Sequence, residues 1–338
     1  MNVLVNGIGN IGTTLLNLLA AYKQHLNIDN IYALKNSKVQ PWQWPEINFL
    51  KNSGVIFCSN NNPEMIPVKE IINTVNYIFD TNANSVGLKN KDWYNSLTNL
   101  QGASAQGSEK GFGLSYMAGI NDKELINQKF AHIVSCNTHS LSSIIHTLTN
   151  GNYTELLNTD FVVVRRSEDI GQHERLVTAN VVSRHMDKEI GTHHAIDVID
   201  LFQTKGINLN VQSSDITTPS QLMHSVRFSL KFQSMPNNIN ERLAKNPLLG
   251  LTQKFDSNVI FELGRRYGKM GRIYSHVIIN ENNLLIDKEQ KTIKGWAFIP
   301  QEGSTLLSTL KAFMIQSNLE NFETKFEKIC TELTVKNW

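Results

Sequence analysis

The 338-residue sequence has few cysteines, no surplus of either charge and no long apolar run. Its three cysteines, Cys58, Cys136 and Cys330, are an odd number without metal-ligand spacing, which predicts reduced thiols in a cytoplasmic protein. The 32 basic and 30 acidic residues form no basic stripe, which argues against nucleic-acid and anionic membrane partners. No apolar stretch approaches the roughly 18 residues that span a bilayer. A small molecule is therefore the expected partner.

The length and the 41% hydrophobic content are enough for about two domains, each with its own core. The first twelve residues pass from an apolar run straight into glycines, without a basic region or a cleavage site. We therefore expect the chain to begin with a strand and not with a secretory signal.

Strands and helices alternate along residues 1–135. A short apolar strand at residues 3–6 is followed by glycines and by helical spacing at residues 11–22. Further strands are predicted at residues 31–34, 55–58, 77–80 and 132–135. This alternation is typical of a Rossmann-type parallel sheet with helices on both faces.

The pattern changes at Cys136. A helix predicted at residues 140–148 precedes longer segments with partial period-two alternation, at residues 161–166, 176–182, 226–231 and 275–279. Residues 136–300 are therefore expected to form a second, α+β catalytic domain with a largely antiparallel sheet. Amphipathic helices are predicted at residues 305–317 and 319–333, and we expect residues 301–338 to pack back on the first domain.

Three glycines, Gly7, Gly9 and Gly12, fit the G-x-G-x-x-G pattern between the first strand and the first helix. There the first glycine makes the turn, the second admits a pyrophosphate, and the third permits close packing of helix on strand. The positive end of the helix faces the phosphates. The residues expected to bind a dinucleotide here are Asn6, Gly7, Gly9, Asn10, Ile11 and Gly12. The alternative is a glycine-rich turn without a ligand.

The second predicted strand ends in Lys35, Asn36 and Ser37, without a carboxylate. A carboxylate would repel a 2′-phosphate, whereas a lysine with polar neighbours can hold it. These three residues are therefore predicted to bind the cofactor, with NADP used at least as well as NAD. The alternative is that Lys35 is an ordinary solvated loop residue.

Cys136 follows an apolar segment and precedes the helix at residues 140–148. A helix N-terminus favours the thiolate, so this cysteine is the candidate nucleophile and is expected to point at the nicotinamide. Cys58 and Cys330 are expected to be buried and inert.

A set of short segments carries a family resemblance along nearly the whole chain. Besides the glycine turn, these segments are Asp80-Thr81-Asn82, residues 87–91, residues 106–110, Ser135-Cys136-Asn137-Thr138, Val164-Arg165-Arg166, residues 193–198, residues 222–226 and Gln301-Glu302. In this order and approximate spacing they resemble the type II, archaeal-type glyceraldehyde-3-phosphate dehydrogenases.

The resemblance implies that the Cys136 thiolate attacks the aldehyde of glyceraldehyde 3-phosphate. Hydride then passes to the nicotinamide, and inorganic phosphate cleaves the thioester. His224 matches the family's base, and imidazole can move a proton near neutral pH. The alternative is a structural histidine on a strand. The resemblance also implies a homotetramer.

The implied ligands of the substrate and inorganic phosphate are Ser135, Asn137, Thr138, Arg166, His193 and His194. The implied further cofactor ligands are Thr81, Asn82, Gln106, Gly107 and Gln301. Arg165 should point to the opposite strand face from Arg166 and make a structural ion pair. His193 is ambiguous, and because no third ligand accompanies the histidine pair, no metal is expected.

Several positions depart from the family pattern, namely His139, Ser140, Ala195, the segment Leu222-Met223-His224, residues 167–175 and residues 217–220. The altered positions lie near the predicted phosphate ligands, so these departures bear on the choice of substrate, whereas the nucleophile, the base and Arg166 remain. The expected reaction is phosphorylating, NAD(P)-dependent oxidation of D-glyceraldehyde 3-phosphate to 1,3-bisphosphoglycerate, or the reverse. The alternatives are a related semialdehyde or acyl-phosphate dehydrogenase, and a catalytically inactive dinucleotide-binding relative.

Overall fold

The computed structural model describes residues 1–83, 85–107, 109–167, 181–182, 185–219, 221–301 and 303–338. The chain divides into two compact units. The first contains Met1–Val134 and Leu306–Lys328, and the second contains Ser135–Thr305 and Ile329–Trp338. In the part of the chain described, no helix is long and apolar enough to cross a membrane.

The first unit contains an eight-stranded sheet in which every pairing is parallel. Its strands are β1 (Asn2–Asn6), β2 (Asn30–Leu34), β3 (Val55–Ser59), β4 (Ile66–Pro67), β5 (Tyr77–Asp80), β6 (Gly102–Gln106), β7 (Leu114–Tyr116) and β8 (Phe130–Ile133). Their order is β4-β3-β2-β1-β5-β6-β8-β7, so the chain builds outward from β1 on one side and then on the other. This is a Rossmann-like sheet, as the alternation of the sequence predicted.

The second unit contains a mostly antiparallel sheet. Its strands are β9 (Leu156–Arg166), β10 (Val181–Val182), β11 (Val211–Thr218), β12 (His224–Phe232), β13 (Leu249–Thr252), β14 (Val277–Asn280), β15 (Leu285–Asp287) and β16 (Thr292–Ile299). Their order is β10-β11-β9-β12-β16-β14-β13, and β15 pairs with β16. Only the β9–β11 and β13–β14 pairings are parallel among those described. The predicted fold class is confirmed.

Helices accompany both sheets. Those in the described residues are α1 (Asn10–Ala21), α2 (Trp44–Asn52), α3 (Val68–Ile71), α4 (Val86–Asn95), α5 (Cys136–Thr149), α6 (His193–Gln203), α7 (Ile239–Lys245), α8 (Ser257–Tyr267), α9 (Leu306–Gln316) and α10 (Phe322–Leu333). The helix α1 buries Leu15, Leu16, Leu18 and Leu19, which is the face that its 3.6-residue periodicity predicted.

The register of the second sheet decides which polar side chains share a face. Val163 of β9 lies opposite Asp215 of β11 and also opposite Val226 of β12. Because side chains alternate along a strand, Arg165, Asp215 and His224 fall on the face that carries the buried Val163. This face holds the polar cluster described below.

Strand β6 shows why some strands escaped the sequence patterns. Its residues, Gly102 to Gln106, include no β-branched or aromatic side chain. A Cβ on Gly102 would lie 2.9 Å from Cβ of Gln316 in α9 and 2.9 Å from the ring of Tyr77. Small residues therefore occupy β6 because α9 packs closely on it, a tertiary requirement that propensity does not report.

Helix α9 forms where the sequence predicted a helix, but it has no exposed face. All of its residues are buried. Its polar side chains have partners within the first unit: Lys311 Nζ lies 2.9 Å from Asp122 and 3.1 Å from Glu323, and Ser308 Oγ accepts from the Ala118 N–H. The polar residues that made this helix look amphipathic therefore have their hydrogen-bond and ion-pair partners inside the first unit and not in solvent.

Some predictions fall on residues that the structure does not describe. The predicted strand at residues 176–182 lies outside the described residues except for β10. Ser108, residues 168–175, Ser220 and Glu302 also lie outside them.

Candidate active site

The glycine turn of the first unit uses its three glycines in three ways. Gly7 has φ +104°, and a Cβ there would lie 2.8 Å from the backbone nitrogen of Asn82. At Gly12 a Cβ would lie 2.1 Å from the carbonyl oxygen of Gly7. At Gly9, by contrast, a Cβ would have no neighbour within 4 Å. Gly7 and Gly12 are therefore required by the fold, whereas Gly9 keeps a space open at the start of α1.

Two side chains from the end of β5 hold this turn in place. Thr81 Oγ1 donates to the carbonyl oxygen of Gly7 at 2.6 Å, and the Thr81 N–H donates to that of Asn6 at 2.8 Å. Asn82 Nδ2 also donates to the carbonyl oxygen of Asn6, at 3.2 Å. Both residues were predicted to bind the cofactor, and the structure places them directly against the glycine turn.

A buried carboxylate lies behind these contacts. Asp80 is 2% exposed and accepts from the hydroxyl of Tyr94 at 2.6 Å, from Asn90 Nδ2 at 2.9 Å and from Asn82 Nδ2 at 3.0 Å. Tyr94 in turn accepts from Asn6 Nδ2 at 2.6 Å. Burial, together with the charge of Asp80, raises the pKa of Tyr94 well above its usual value. This network fixes the loop after β1 and the loop after β5. Asn6 takes part in it through its side chain as well as through its carbonyl oxygen.

The end of β2 presents exposed polar groups. Lys35 Nζ donates to Ser37 Oγ at 2.7 Å, and Ser37 is exposed whereas Lys35 is half-buried. The side chain of Asn36 accepts from the backbone N–H of Asn60 at 2.9 Å, which shapes the loop. A lysine beside a serine hydroxyl, without a carboxylate, can receive a phosphate group.

The loop after β6 is held from two directions. Gln106 is buried, and its amide nitrogen donates to Thr309 Oγ1 of α9. Gly107 has φ +78°, its N–H donates to the carbonyl oxygen of Ile133 at 3.0 Å, and its own carbonyl accepts from the ring of His132. The side chain of Gln106 therefore points to α9, and Gly107 supplies the left-handed turn.

These features of the first unit fit a dinucleotide. The space at Gly9 admits the close approach of a pyrophosphate, and the first turn of α1 carries N–H groups that its own helix cannot satisfy. Gly9, Asn10, Ile11 and Gly12 would hold the pyrophosphate, and the group at Lys35 and Ser37 would face an adenosine ribose or its phosphate. Among the described residues no group of three or more His, Cys, Asp or Glu side chains is arranged to hold a metal ion.

In the second unit, Cys136 is the first residue of α5. Ser135 is the N-cap, and its hydroxyl accepts from the Thr138 N–H at 3.3 Å and lies 2.9 Å from Thr138 Oγ1. Cys136 is partly exposed, whereas Cys58 and Cys330 are buried. Burial raises the pKa of the Cys58 thiol to about 12, which leaves it inert at neutral pH. The 14-residue helix favours negative charge at Cys136.

Two buried histidines support the start of α5. His139 Nδ1 donates to the carbonyl oxygen of Ser135 at 3.0 Å, and its ring meets that of His276 edge to face, 4.9 Å between centroids. Ser140 Oγ lies 2.6 Å from the carbonyl oxygen of His276. Burial, with the nearby His139 and His146, lowers the pKa of His276 well below its usual value, so that His276 stays neutral. The unusual His139 thus packs behind the candidate nucleophile.

His224 begins β12 and is buried, with a partner at each ring nitrogen. Its Nδ1 accepts from the backbone N–H of Arg166 at 3.0 Å, and its Nε2 lies 2.8 Å from the side-chain amide of Gln301. Burial and the positive charges of Arg166 and Arg165 lower its pKa well below the usual value. His224 is therefore a neutral ring at physiological pH.

A buried acid joins the remaining polar groups. Asp215 is 1% exposed and lies 3.2 Å from Arg165 Nη1 and 3.4 Å from His194 Nε2. The amide nitrogen of Asn137 lies 3.4 Å from His194 Nδ1, and its amide oxygen is buried without a partner. The structure thus brings together Asn137 and His194, two predicted phosphate ligands, and leaves a buried polar atom for which a bound ligand could supply the partner.

The two neighbouring arginines have different surroundings. Arg165 makes an ion pair, as predicted, and its partner is Asp215, on the face that carries His224. Arg166 is 4% exposed, and its Nη1 donates to the carbonyl oxygen of Leu222 at 3.1 Å. Arg165 keeps a third of its side chain in solvent. Both cations therefore lie close to His224, and Arg165 is the more accessible.

The other predicted phosphate ligands are placed as follows. His193 is exposed at the start of α6, with its ring 4.0 Å from that of His194. Thr138 is fully buried, and the hydroxyls of Ser135 and Thr138 are used in the cap of α5. Sequence reasoning missed Asp215, although an acidic residue at an inward position of an alternating strand, Val211-Gln-Ser-Ser-Asp215, is a readable signal.

Comparison with known proteins gives one consistent similarity. The glyceraldehyde-3-phosphate dehydrogenase of Saccharolobus solfataricus is 26% identical over 277 residues, covering 78% of this chain and 76% of that protein. The enzyme of the same name from Methanoregula boonei is 24% identical over 275 residues, with the same coverage. That from Sulfurisphaera tokodaii is 24% identical over 300 residues, covering 84% of this chain and 83% of that protein. No protein-family model matches the chain. The chain is therefore distantly similar to archaeal dehydrogenases of this name.

Proposed function

We propose that the protein is a phosphorylating, NAD(P)-dependent glyceraldehyde-3-phosphate dehydrogenase with Cys136 as its nucleophile. The observation that carries the proposal is the placement of Cys136, the accessible one of three thiols, at the N-terminus of a long helix. The distant similarity to archaeal enzymes of that name and the dinucleotide-compatible glycine turn support the same reaction. We also propose that the protein is a cytoplasmic homotetramer.

The chemistry follows from the thiolate. The sulfur of Cys136 attacks the aldehyde carbon, and the carbonyl oxygen takes the negative charge of a hemithioacetal. A nicotinamide dinucleotide bound at the glycine turn would supply the acceptor for the hydride that this carbon then loses. The resulting thioester is attacked by inorganic phosphate, and the thiolate of Cys136 leaves with an acyl phosphate formed. The resemblance assigns the proton transfer in this sequence to His224.

The polar cluster of the second unit provides the anion ligands of the proposal. Arg166 and His194 carry over from the family resemblance, and Asn137 lies beside His194. Arg165 adds a second, partly exposed guanidinium near them, and a guanidinium binds phosphate oxygens in pairs. His193, exposed on α6, is the remaining proposed ligand.

The test is reduction of NADP and of NAD by the purified protein with glyceraldehyde 3-phosphate, with and without inorganic phosphate. Phosphate-dependent turnover is expected, together with a loss of at least about 10³-fold in Cys136→Ser, because the nucleophile is removed. Cys330→Ser is the matched control and should keep full activity. Turnover with aspartate semialdehyde alone would indicate a related dehydrogenase. Cofactor binding without turnover of either aldehyde would indicate an inactive relative.

A further inference from the structure

Both backbone polar groups of Gly107 have partners within the first unit. Its N–H donates to the carbonyl oxygen of Ile133 at 3.0 Å, and its carbonyl oxygen accepts from the ring nitrogen Nε2 of His132. Gly107 also has φ +78°, in the left-handed region that favours glycine. Because its N–H is already used, Gly107 can serve a ligand only by close packing and not by donating a hydrogen bond.

The ring of His132 is buried and is contacted on two sides. A carbonyl oxygen can only accept a hydrogen bond, so the ring donates to Gly107 from Nε2. The other ring nitrogen, Nδ1, lies 3.4 Å from the hydroxyl of Ser115, the residue opposite His132 in the β7–β8 pairing. The carbonyl oxygen of Ser115 in turn accepts from Asn121 Nδ2 at 2.7 Å. His132 is 5% exposed, so its ring is fixed between β7 and the loop after β6.

The order of the strands places Gly107 and Lys35 on opposite sides of the glycine turn. The carboxyl ends of parallel strands meet at one edge of the sheet, and a dinucleotide lies across that edge. On one side of β1 lies β2, which ends directly before Lys35, and on the other side lie β5 and then β6, which ends directly before Gly107. If the pyrophosphate lies at the glycine turn and the adenosine half at Lys35, the nicotinamide half extends toward Gly107.

We propose that His132 is a positioning residue for the nicotinamide half of the dinucleotide. Its ring holds the carbonyl of Gly107, and with it the left-handed turn against which that half packs. This inference rests on the proposed function. It gives Gly107, which the resemblance implied as a cofactor ligand, a role through packing alone, and it assigns the hydrogen bond that maintains the turn to His132. Without the ring N–H the carbonyl loses this donor, and the turn is free to relax.

The test compares each whole cofactor with its adenosine half, NADP with 2′,5′-ADP and NAD with AMP, by titration calorimetry on the full-length protein. His132→Leu removes the donor and should raise the Kd of the whole cofactor about tenfold, on the scale of one buried hydrogen bond. The Kd of the adenosine half should not change, because that ligand ends at the glycine turn. His132→Gln, whose amide can donate to the same carbonyl, should recover most of the loss. Ser115→Ala removes only the contact at Nδ1 and should raise the Kd of the whole cofactor about twofold.

His25→Leu is the matched control. His25 also lies in the first unit, and its Nε2 is 3.0 Å from the carbonyl oxygen of Lys325. This variant therefore loses a histidine–carbonyl contact of the same kind away from the glycine turn, and it should change neither Kd. Urea unfolding of each variant shows whether it is folded under the conditions of the binding measurement.

The outcomes separate this inference from the proposed function. A rise in Kd confined to the whole cofactor, with recovery in His132→Gln, would support the positioning role. An unchanged Kd in His132→Leu would overturn it, because the turn would then not need the ring. An equal rise for the whole cofactor and its adenosine half would also overturn it, because His132 would then support the fold of the whole unit. A parent protein that binds no dinucleotide would refute the proposed function and this inference with it, whereas binding without turnover would refute the proposed reaction alone.

Discussion

The glycine turn of the first unit and the polar cluster of the second unit are built in opposite ways. The turn lies within seven consecutive residues, Asn6 to Gly12, and is held by short contacts from Thr81 and Asn82. The cluster draws two residues from β9 and one each from α5, α6, β11 and β12, with Gln301 after β16. The glycine turn can be predicted from the sequence because its residues are neighbours in the chain. The polar cluster cannot, because its residues come together only through the register of the strands.

The largest expected effect separates two glycines of the turn. Gly12→Ala should lower the free energy of unfolding by about 3 kcal/mol, because a Cβ 2.1 Å from a backbone oxygen forces the chain apart. Gly9→Ala should leave stability unchanged, since its φ of −114° suits alanine and its Cβ meets nothing within 4 Å. Gly9→Ala should instead raise the dinucleotide Kd at least about tenfold, because the pyrophosphate loses its close approach.

Urea unfolding and equilibrium cofactor binding, measured on both variants, check this contrast. If both substitutions lowered the free energy of unfolding equally, the Cβ added in Gly9→Ala would have to meet neighbouring atoms, which contradicts the open space at Gly9. An unchanged Kd in Gly9→Ala would remove the pyrophosphate from this turn.

The next effect concerns the buried acid of the polar cluster. Asp215→Asn should lower the free energy of unfolding by about 2 kcal/mol, because it leaves Arg165 without its partner. The figure is at the lower end for a broken buried pair, since Arg165 is a third exposed. The comparison is with Glu262→Gln, which removes an exposed pair with Arg265 and Arg266 and should have no measurable effect in urea unfolding. Similar results for the two variants would show that Asp215 does not organise the cluster.

Stability should also depend on pH through the buried histidines. The pKa values of His276 and His224 are lowered in the folded state, so between the unfolded value of 6.5 and the folded value the unfolded chain binds more protons. Stability is therefore complete above pH 6.5 and falls as the pH drops below it. The slope should reach about 1.4 kcal/mol per pH unit for each histidine. Urea unfolding at pH 7, 6 and 5 should show a flatter dependence in His276→Asn, and an unchanged slope would contradict the assignment.

The smallest effect tests the cofactor phosphate. Lys35→Ala should raise the Kd for NADP about fivefold, on the scale of one exposed lysine–phosphate contact, and leave the Kd for NAD unchanged. Lys38→Ala, an exposed lysine on the same loop, is the control. A parallel loss for both cofactors would indicate that Lys35 supports the loop, and no change would make it a solvated residue.

Much of the first sheet was predictable, because β1, β2, β3 and β5 are apolar runs bounded by polar loops. Strand β6 was not, since its small residues reflect the packing of α9 and Tyr77 against Gly102. In the second sheet, β11 was missed because four consecutive polar residues interrupt it, among them the inward-facing Asp215. Asp215 of this strand contacts Arg165 and His194, and the tertiary structure alone brings these two residues close to it.

The sequence by itself determined the glycine turn, the cysteine at a helix start and the order of a parallel sheet followed by an antiparallel one. Each of these is a local pattern, since turn geometry, helix capping and side-chain alternation act over a few residues. Only the tertiary structure decided that Arg165 shares a face with His224 and Asp215, and that Gln301 faces the ring of His224. Those contacts join residues 50 to 77 positions apart, and no short-range pattern encodes such a distance.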